Sequence, residues 1–270
     1  MPQFIITLVI GLIAGVMSGM FGIGGGVIIV PALIVFLTYE VTMATGTSLG
    51  ALMLPVGVFA AMAYYRAGLL RPAVAAPVAV GLLIFTIVGA KLALNMPKET
   101  LRFIYGIFLL YNSWKFIEPR KIWAEYRQRA AQNSAAQTER EPEPLSDRDA
   151  PVPYVKLLGI GSIAGVASGL FGIGGGVVIV PALINLLDMD QKEAVGTSLG
   201  ALLLPVGILG VIEYYNAGEL NLMAALGIAI GLAVGAFGGS KLALSLPSKT
   251  VKRLYGVFLL FVGLRFIGLF

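Results

Sequence analysis

The sequence predicts an all-α polytopic membrane protein built from two homologous repeats, and three observations carry that prediction. Of its 270 residues, 58% are hydrophobic and 12% charged, a balance far from that of a soluble domain. Of the 33 charged residues, 14 fall between Glu118 and Lys156, so the long apolar remainder is nearly free of charge. The segment from Gly11 to Ile117 aligns with Gly161 to Ile267 at a constant offset of 150 without a gap, about half of the paired positions being identical. The chain therefore reads as a first transmembrane repeat over 1–117, a polar linker over 118–156 expected on the cytoplasmic side, and a second transmembrane repeat over 157–270.

Each copy divides into about five helical segments, in the first copy near 4–19, 27–37, 43–64, 72–95 and 101–117. The first lacks a basic leader and a small-residue cleavage site and runs on past Phe21, so it is expected to stay in the membrane. Its glycines recur every four residues, as Gly11, Gly15 and Gly19, with Gly161, Gly165 and Gly169 in the second copy and Gly231, Gly235 and Gly239 in a later helix. That spacing lets helix backbones approach closely.

The second segment is too short to span, since a crossing needs about 20 residues. An apolar run near eleven that follows a Gly-rich break fits a broken or re-entrant helix, which a bilayer tolerates only where protein or a polar cavity satisfies the freed backbone groups. The break recurs at Gly172 to Gly176, and paired broken segments in two halves point to a transporter's binding site. The third segment carries Thr47 and Ser48, matched by Thr197 and Ser198, and ends in Tyr64 and Tyr65, matched by Tyr214 and Tyr215, which suit an interfacial belt. The fourth holds one charge in each copy, Lys91 and Lys241. The linker begins as a candidate interfacial helix around Trp123 and continues as a Pro/Glu/Asp-rich tether with no active role.

Loop charge favours an inverted relation between the copies. Arg66 and Arg71 flank one loop, where the second copy has Asn216 and Asn221 with Glu219 between them. Reciprocally, Lys98 and Arg102, diluted by Glu99, correspond to a stretch with Lys249, Lys252 and Arg253 and no acid. Oppositely oriented copies accumulate this asymmetry under the positive-inside rule.

Composition also excludes function classes. With no cysteine and no histidine, disulfides, thiol nucleophiles, haem attachment and most zinc or copper sites fall away, and no cofactor is expected. The net charge of +5 does not imply a nucleic-acid partner, because the linker's seven bases and seven acids cancel and the excess lies beside the apolar runs, facing lipid headgroups. The partners expected are the lipid bilayer and a small anion. Oligomeric state is not legible.

The pattern G-x-x-x-G-x-x-S-G-x-F-G-I-G-G-G-x-x-x-V-P-x-L occurs twice, from Gly11 to Leu33 and from Gly161 to Leu183, each time followed by G-T-S. It resembles the TauE/SafE sulfite exporter family of bacterial and archaeal membrane proteins, over essentially everything outside the linker. The resemblance implies a multi-pass protein of the cell membrane that transports, usually exports, sulfite or a related small sulfur-containing anion such as a sulfonate, sulfoacetate or thiosulfate. It does not imply an enzyme.

The residues support anion chemistry on their own account. Glycines in FGIGGGV allow positive φ and a concave nest of N–H groups, and the half-helix beginning near Val27 aims its positive dipole end at the same place. Fixed N–H dipoles replace an oxyanion's hydration without a permanent charge that would retain it. The alternative is that the glycines only permit a tight crossing. The candidate substrate-binding set is Phe21, Gly22, Gly24, Gly25, Gly26, Thr47, Ser48 and Lys91 with Phe171, Gly172, Gly174, Gly175, Gly176, Thr197, Ser198 and Lys241.

For the Thr and Ser hydroxyls, ligand contact and capping of helical carbonyls weigh equally, and Ser18 and Ser168 lean to a structural role. The lysines fit either an anion attractor or an interfacial anchor. Glu213, whose counterpart is Ala63, is a candidate for proton coupling or a solvated rim residue. An anion channel of the same architecture remains the alternative to a carrier, while a membrane-embedded enzyme lacks a recurring Ser/Lys pair in catalytic spacing.

Overall fold

A computed structural model describes residues 2–22, 24–53, 57–117, 154–205 and 207–245 together with 257, 260, 261, 263, 264 and 267. The described residues are helical, without strands, in the order α1 (Pro2–Phe21), α2 (Gly26–Leu37), α3 (Val41–Met53), α4 (Val58–Arg66), α5 (Pro72–Asn95), α6 (Lys98–Ile117), α7 (Tyr154–Phe171), α8 (Gly176–Leu187), α9 (Gln191–Ala201), α10 (Ile208–Asn216) and α11 (Leu222–Ser245). Four of these helices, α1, α5, α7 and α11, contain stretches long and apolar enough to cross a membrane. The linker over 118–153, and with it Trp123, lies outside the described residues, as do Lys249, Lys252 and Arg253.

The glycine ladders organise the packing. A Cβ built on Gly11, Gly15 or Gly19 of α1 falls 2.1, 2.4 and 2.3 Å from the backbone oxygens of Ile228, Leu232 and Ala236 in α11. From the other side Gly231, Gly235 and Gly239 meet the oxygens of Leu8, Leu12 and Val16. Residue numbers rise together along both helices, so α1 and α11 run parallel with their backbones in contact. The same pairing returns 150 residues away, where Gly161, Gly165 and Gly169 of α7 face Val78, Leu82 and Thr86 of α5. The first long helix of each copy thus packs on the fourth segment of the other. No side chain larger than hydrogen fits at these crossings, which is what small-residue ladders achieve in a medium where apolar burial alone drives nothing together.

Two compact units follow, each drawing on both copies: Met1–Leu101 with Ser146–Leu246, and Arg102–Leu145 with Pro247–Phe270. In the second, Tyr105 stacks on Phe108 with ring centroids 6.3 Å apart, and Gly263 faces Leu110 and the Gly106 carbonyl. The site lies in the first.

One expectation needs adjustment. The third apolar segment is not one helix but two, α3 and α4, whose axes differ by 51°. The cause is legible in Leu54-Pro55-Val56-Gly57, where proline removes a backbone donor and biases the residue before it away from helix. Residues 54–56 lie outside the described set, but the second copy shows the corresponding turn, with the Ile208 N–H donating to the Pro205 carbonyl at 3.0 Å. Helices α2 and α8, of 12 residues each, are the short segments expected after the Gly-rich breaks.

Charged residues gather at the two ends of α5. Past its C-terminus, Lys98 lies 3.5 Å from Glu40 and 3.6 Å from Glu219, the latter just before α11 begins. There Asn221 caps α11 through the Ala224 N–H and also donates to the Tyr39 hydroxyl, which receives Gln3 from the start of α1 as well. At the N-terminus of α5, Arg71 pairs at 3.1 Å with Glu193 of α9, whose side chain is 2% exposed. Removing one partner of so buried a pair strands the other charge.

The ladder makes a position-specific prediction. Gly161→Val places a branched carbon 2.2 Å from the Val78 oxygen, and backbone cannot yield as a side chain can. The loss should reach the upper part of the about 1–3 kcal/mol range for overpacking. Gly159→Ala, two residues earlier on the same helix with nothing within 4 Å, should leave the melting temperature in detergent almost unchanged. Equal melting shifts for the two variants would contradict the backbone contact.

Candidate functional site

Both Gly-rich breaks take up left-handed backbone, which is why glycine is needed there. Gly22, Gly24 and Gly25 have φ of 66, 77 and 79°, and Gly172, Gly174 and Gly175 have 68, 73 and 83°. Gly25 and Gly175 are the N-caps of α2 and α8, and neither half-helix receives a side-chain cap. The first N–H groups of each therefore lack the hydroxyl or carboxylate that usually satisfies a helix start.

The two breaks meet. A Cβ on Gly26 would sit 2.1 Å from the Gly172 oxygen, and one on Gly24 would sit 3.1 Å from the Ile173 oxygen and 3.6 Å from the Gly174 Cα. At this junction lies a cavity of about 30 Å³, lined by Ser18, Gly24, Leu49, Leu52 and Gly57, by Ser168, Gly174, Leu199, Leu202 and Gly207, and by Leu232. The first ten are five pairs related by 150, so the cavity sits where the two copies are equivalent. It has room for about two waters. Its walls are leucine; its polar groups are the breaks and two serines. Ser168 is 1% exposed, and its Oγ has no hydrogen-bond partner among the described residues.

The hydroxyls of the third segments have assigned work. Ser48 Oγ donates to the Gly172 carbonyl at 2.7 Å, and Ser198 Oγ donates to the Gly22 carbonyl at 3.0 Å. Thr47 Oγ1 accepts from the Asn221 N–H at 3.0 Å, and Thr197 Oγ1 accepts from the Arg71 N–H at 3.1 Å. Tyr64 and Tyr214 donate to the carbonyls of Gly19 and Gly169, so both are buried anchors, whereas Tyr65 and Tyr215 are exposed, as an interfacial belt requires. In every case the partner lies in a break, a first helix or a helix start whose backbone polar groups would otherwise be left over.

Of the residues singled out from sequence, the described cavity wall takes Gly24 and Gly174, together with Ser18 and Ser168, for which the sequence favours a structural role. Gly22, Gly25, Gly26, Gly172, Gly175 and Gly176 belong to the same two breaks, and Phe21 and Phe171 are buried at the ends of α1 and α7. Lys91 is not among them: its ammonium lies 3.7 Å from the Glu213 carboxylate, with 58% of the lysine side chain exposed. Lys241 has no carboxylate at the equivalent place, where the first copy has Ala63, and rests over the Phe237 ring at 4.3 Å. Glu213 is thus an ion-pair partner on α10, bridging to α5 of the other copy.

Sequence reasoning missed Leu49, Leu52, Leu199 and Leu202, along with Gly57 and Gly207. A signal existed, since all six lie in GTSLGALMLPVG and GTSLGALLLPVG, which differ at a single position. It also missed the Glu193 pair. No groups of acidic residues suited to a metal ion occur among the described residues.

Comparison with known proteins places this geometry in context. The family model described as "Sulfite exporter TauE/SafE" matches residues 7–266. A probable membrane transporter protein of Bacillus subtilis is 27% identical, covering 98% of this chain and 97% of its own length. Others of that description from Haemophilus influenzae and Methanocaldococcus jannaschii are 28% and 26% identical, covering 97% and 90% of this chain. No solved structure matches. With full-length relatives described as membrane transporters and the family pattern present in both halves, the chain belongs to the TauE/SafE family of membrane transporters.

Proposed function

We propose that this transporter moves sulfite, or a closely related sulfur oxyanion such as a sulfonate, sulfoacetate or thiosulfate, outward across the cell membrane through the central cavity. The observation that carries the reading is the meeting of the two Gly-rich breaks, each leading into a half-helix without a side-chain cap, beside a cavity lined by Gly24, Gly174 and the unpartnered Ser168 hydroxyl. Helix starts favour negative charge through N–H groups and the macrodipole, and a low-dielectric surround strengthens both. A sulfur oxyanion offers acceptor oxygens to both breaks at once. Among the described residues no cation lies on the cavity wall, so binding rests on dipoles, and release does not require breaking an ion pair.

The small cavity favours a carrier over an open channel. The copies work as inverted halves in this mechanism, a reading supported by loop charge, by the parallel pairs α1/α11 and α5/α7, and by Lys98, which brings the C-terminal end of α5 to the start of α11. Ser48 and Ser198 hold the breaks in shape from behind, while the exposed lysines act at longer range.

The substrate class is tested by thermal stabilisation of purified protein across sulfite, sulfate, thiosulfate, sulfoacetate and taurine, followed by efflux from loaded proteoliposomes. A ligand that prefers the folded state raises the melting temperature in proportion to ln(1 + [L]/Kd). Sulfite or a near relative should stand apart, and indifference to all of them would reject the sulfur-anion assignment. Gly25→Val and Gly175→Val should abolish efflux while membrane insertion persists, because valine resists positive φ. Normal efflux would remove the cradle from the mechanism.

Orientation is read by labelling single cysteines introduced at Ala67 and Ala217, both exposed, which should react from opposite sides of the membrane. Reaction from one side would mean parallel halves. The ion pair gives a signed prediction as well. Glu213→Gln unmasks Lys91 and should lower the half-saturation concentration, whereas Lys91→Gln should raise it. Each change should be a few fold, the size of a partly exposed pair worth about 0.2–1 kcal/mol. Shifts of the same sign, or none, would confine the pair to anchoring.

A further inference from the structure

Two leucines line the central cavity in a particular way. Leu52 Cδ1 lies 3.0 Å from where a Cβ of Gly174 would stand, and Leu202 Cδ1 lies 3.4 Å from that of Gly24. Each copy therefore lays an isobutyl group directly on the glycine break of the other. Both leucines are partly exposed, whereas Leu49 and Leu199, three residues earlier on the same helices, are 1% and 2% exposed and belong to the packed interior. The helical context differs too: Leu52 is the penultimate residue of α3, and Leu202 lies just past the end of α9, in a turn held by the Leu202 N–H to Ser198 and Leu203 N–H to Gly200 bonds. Side chains at a helix end, next to a proline-bearing break, can change direction without disturbing the helix behind them.

We propose that Leu52 and Leu202 are the specificity-determining residues of the central site, an apolar plug on each side, and that Ser168 Oγ is the side-chain donor to the bound anion. The proposal rests on the anion-transport reading above and adds what that reading lacks, a limit on size and a route of access. A cavity of about 30 Å³ between the plugs has no space for an organic arm beside an anionic head. Within the class proposed above, the preferred ligand is therefore a bare oxyanion, sulfite or thiosulfate, and sulfonates carrying a carbon chain are disfavoured by contact with leucine rather than by charge. An apolar constriction over a polar floor also resists wetting, so each plug is a barrier to water and ions until displaced. Ser168 satisfies the remaining requirement, because a buried hydroxyl without a partner is costly unless the ligand provides one.

The test uses the whole chain reconstituted in vesicles and exploits its lack of cysteine. Ser168→Cys is combined with Leu52→Ala, Leu202→Ala or neither, and labelled from each side with sulfonatoethyl or trimethylammonioethyl methanethiosulfonate, two impermeant reagents of opposite charge. With both leucines present labelling should be slow. Each truncation should accelerate it by about tenfold, Leu52→Ala from one face and Leu202→Ala from the other. Leu52→Met, which keeps the bulk, should remain slow and shows that any acceleration is not general loosening. Unchanged rates in both truncations, or acceleration from the same face, would overturn the proposal. Sided acceleration with preference for the anionic reagent upholds plug and anion cradle together. Sided acceleration without that preference upholds the plugs and tells against the anion reading, so the two failures are separable. In transport, either truncation should admit sulfoacetate or taurine relative to sulfite, and unchanged selectivity would reject the size limit.

Discussion

A backbone that leaves the helix inside a membrane has to find its hydrogen bonds in protein, and the rest of this structure depends on how that demand is met. Each Gly-rich break frees carbonyl and N–H groups where lipid can offer nothing. The carbonyls of Gly22 and Gly172 receive hydroxyls from Ser198 and Ser48, and those of Gly19 and Gly169 receive Tyr64 and Tyr214. The donors at the half-helix starts are left without side-chain caps, one residue beyond the Gly24 and Gly174 that line a cavity. Acceptors are thus consumed by the protein and donors are offered to whatever arrives. In the proposed mechanism that imbalance converts a structural liability into an anion-attracting surface, with no charged residue among the described residues of the wall.

The same demand explains why the copies interleave. The bond between Ser48 and Gly172 joins the two copies, as does that between Ser198 and Gly22, and the glycine ladders pair α1 with α11 and α7 with α5. Each copy satisfies its Gly19 or Gly169 carbonyl from within, through Tyr64 or Tyr214, but takes the hydroxyl for its Gly22 or Gly172 carbonyl from the other. The Arg71–Glu193 and Lys98–Glu219 pairs add further ties across the copies at the two ends of α5, and their lack of symmetry marks where the copies have diverged. Thr47 and Thr197 are instructive here: the acceptor role is kept, although the donor is the backbone N–H of asparagine in one case and of arginine in the other. Backbone recognition allowed the side chains at positions 71 and 221 to change charge.

Much of this was legible in the chain. The offset of 150 gave the repeat, the four-residue glycine spacing gave close helix crossings, and a run too short to span gave the half-helices. Positive φ was expected at the breaks because glycine is the residue that tolerates it, and three glycines in each break adopt it. Partnership between elements was not legible. Nothing in periodicity links Ser48 to Gly172, 124 residues away, or Lys91 to Glu213, so the serine's bond and the lysine's neutralisation emerge only from three dimensions. The leucines of the cavity escaped notice for a related reason. In a membrane protein leucine is the background residue, and the information lay in its near-invariance between copies rather than in its type.

Interlocked contacts of this kind bear on how such a chain could arise. The bonds and crossings that hold the breaks are mirrored between the copies: the serine of either copy serves the glycine of the other, and either first helix receives the ladder of the opposite fourth segment. A single copy therefore carries both the donor and the acceptor of each mirrored contact, the self-complementarity that defines an isologous interface between identical subunits. Two separate copies of one unit would meet through the same mirrored contacts, and joining them through the polar linker leaves each copy free to change alone. The residues free to drift afterwards are those the symmetry no longer constrains, and Glu213 opposite Ala63, with Arg71 opposite Asn221, are the marks of that freedom.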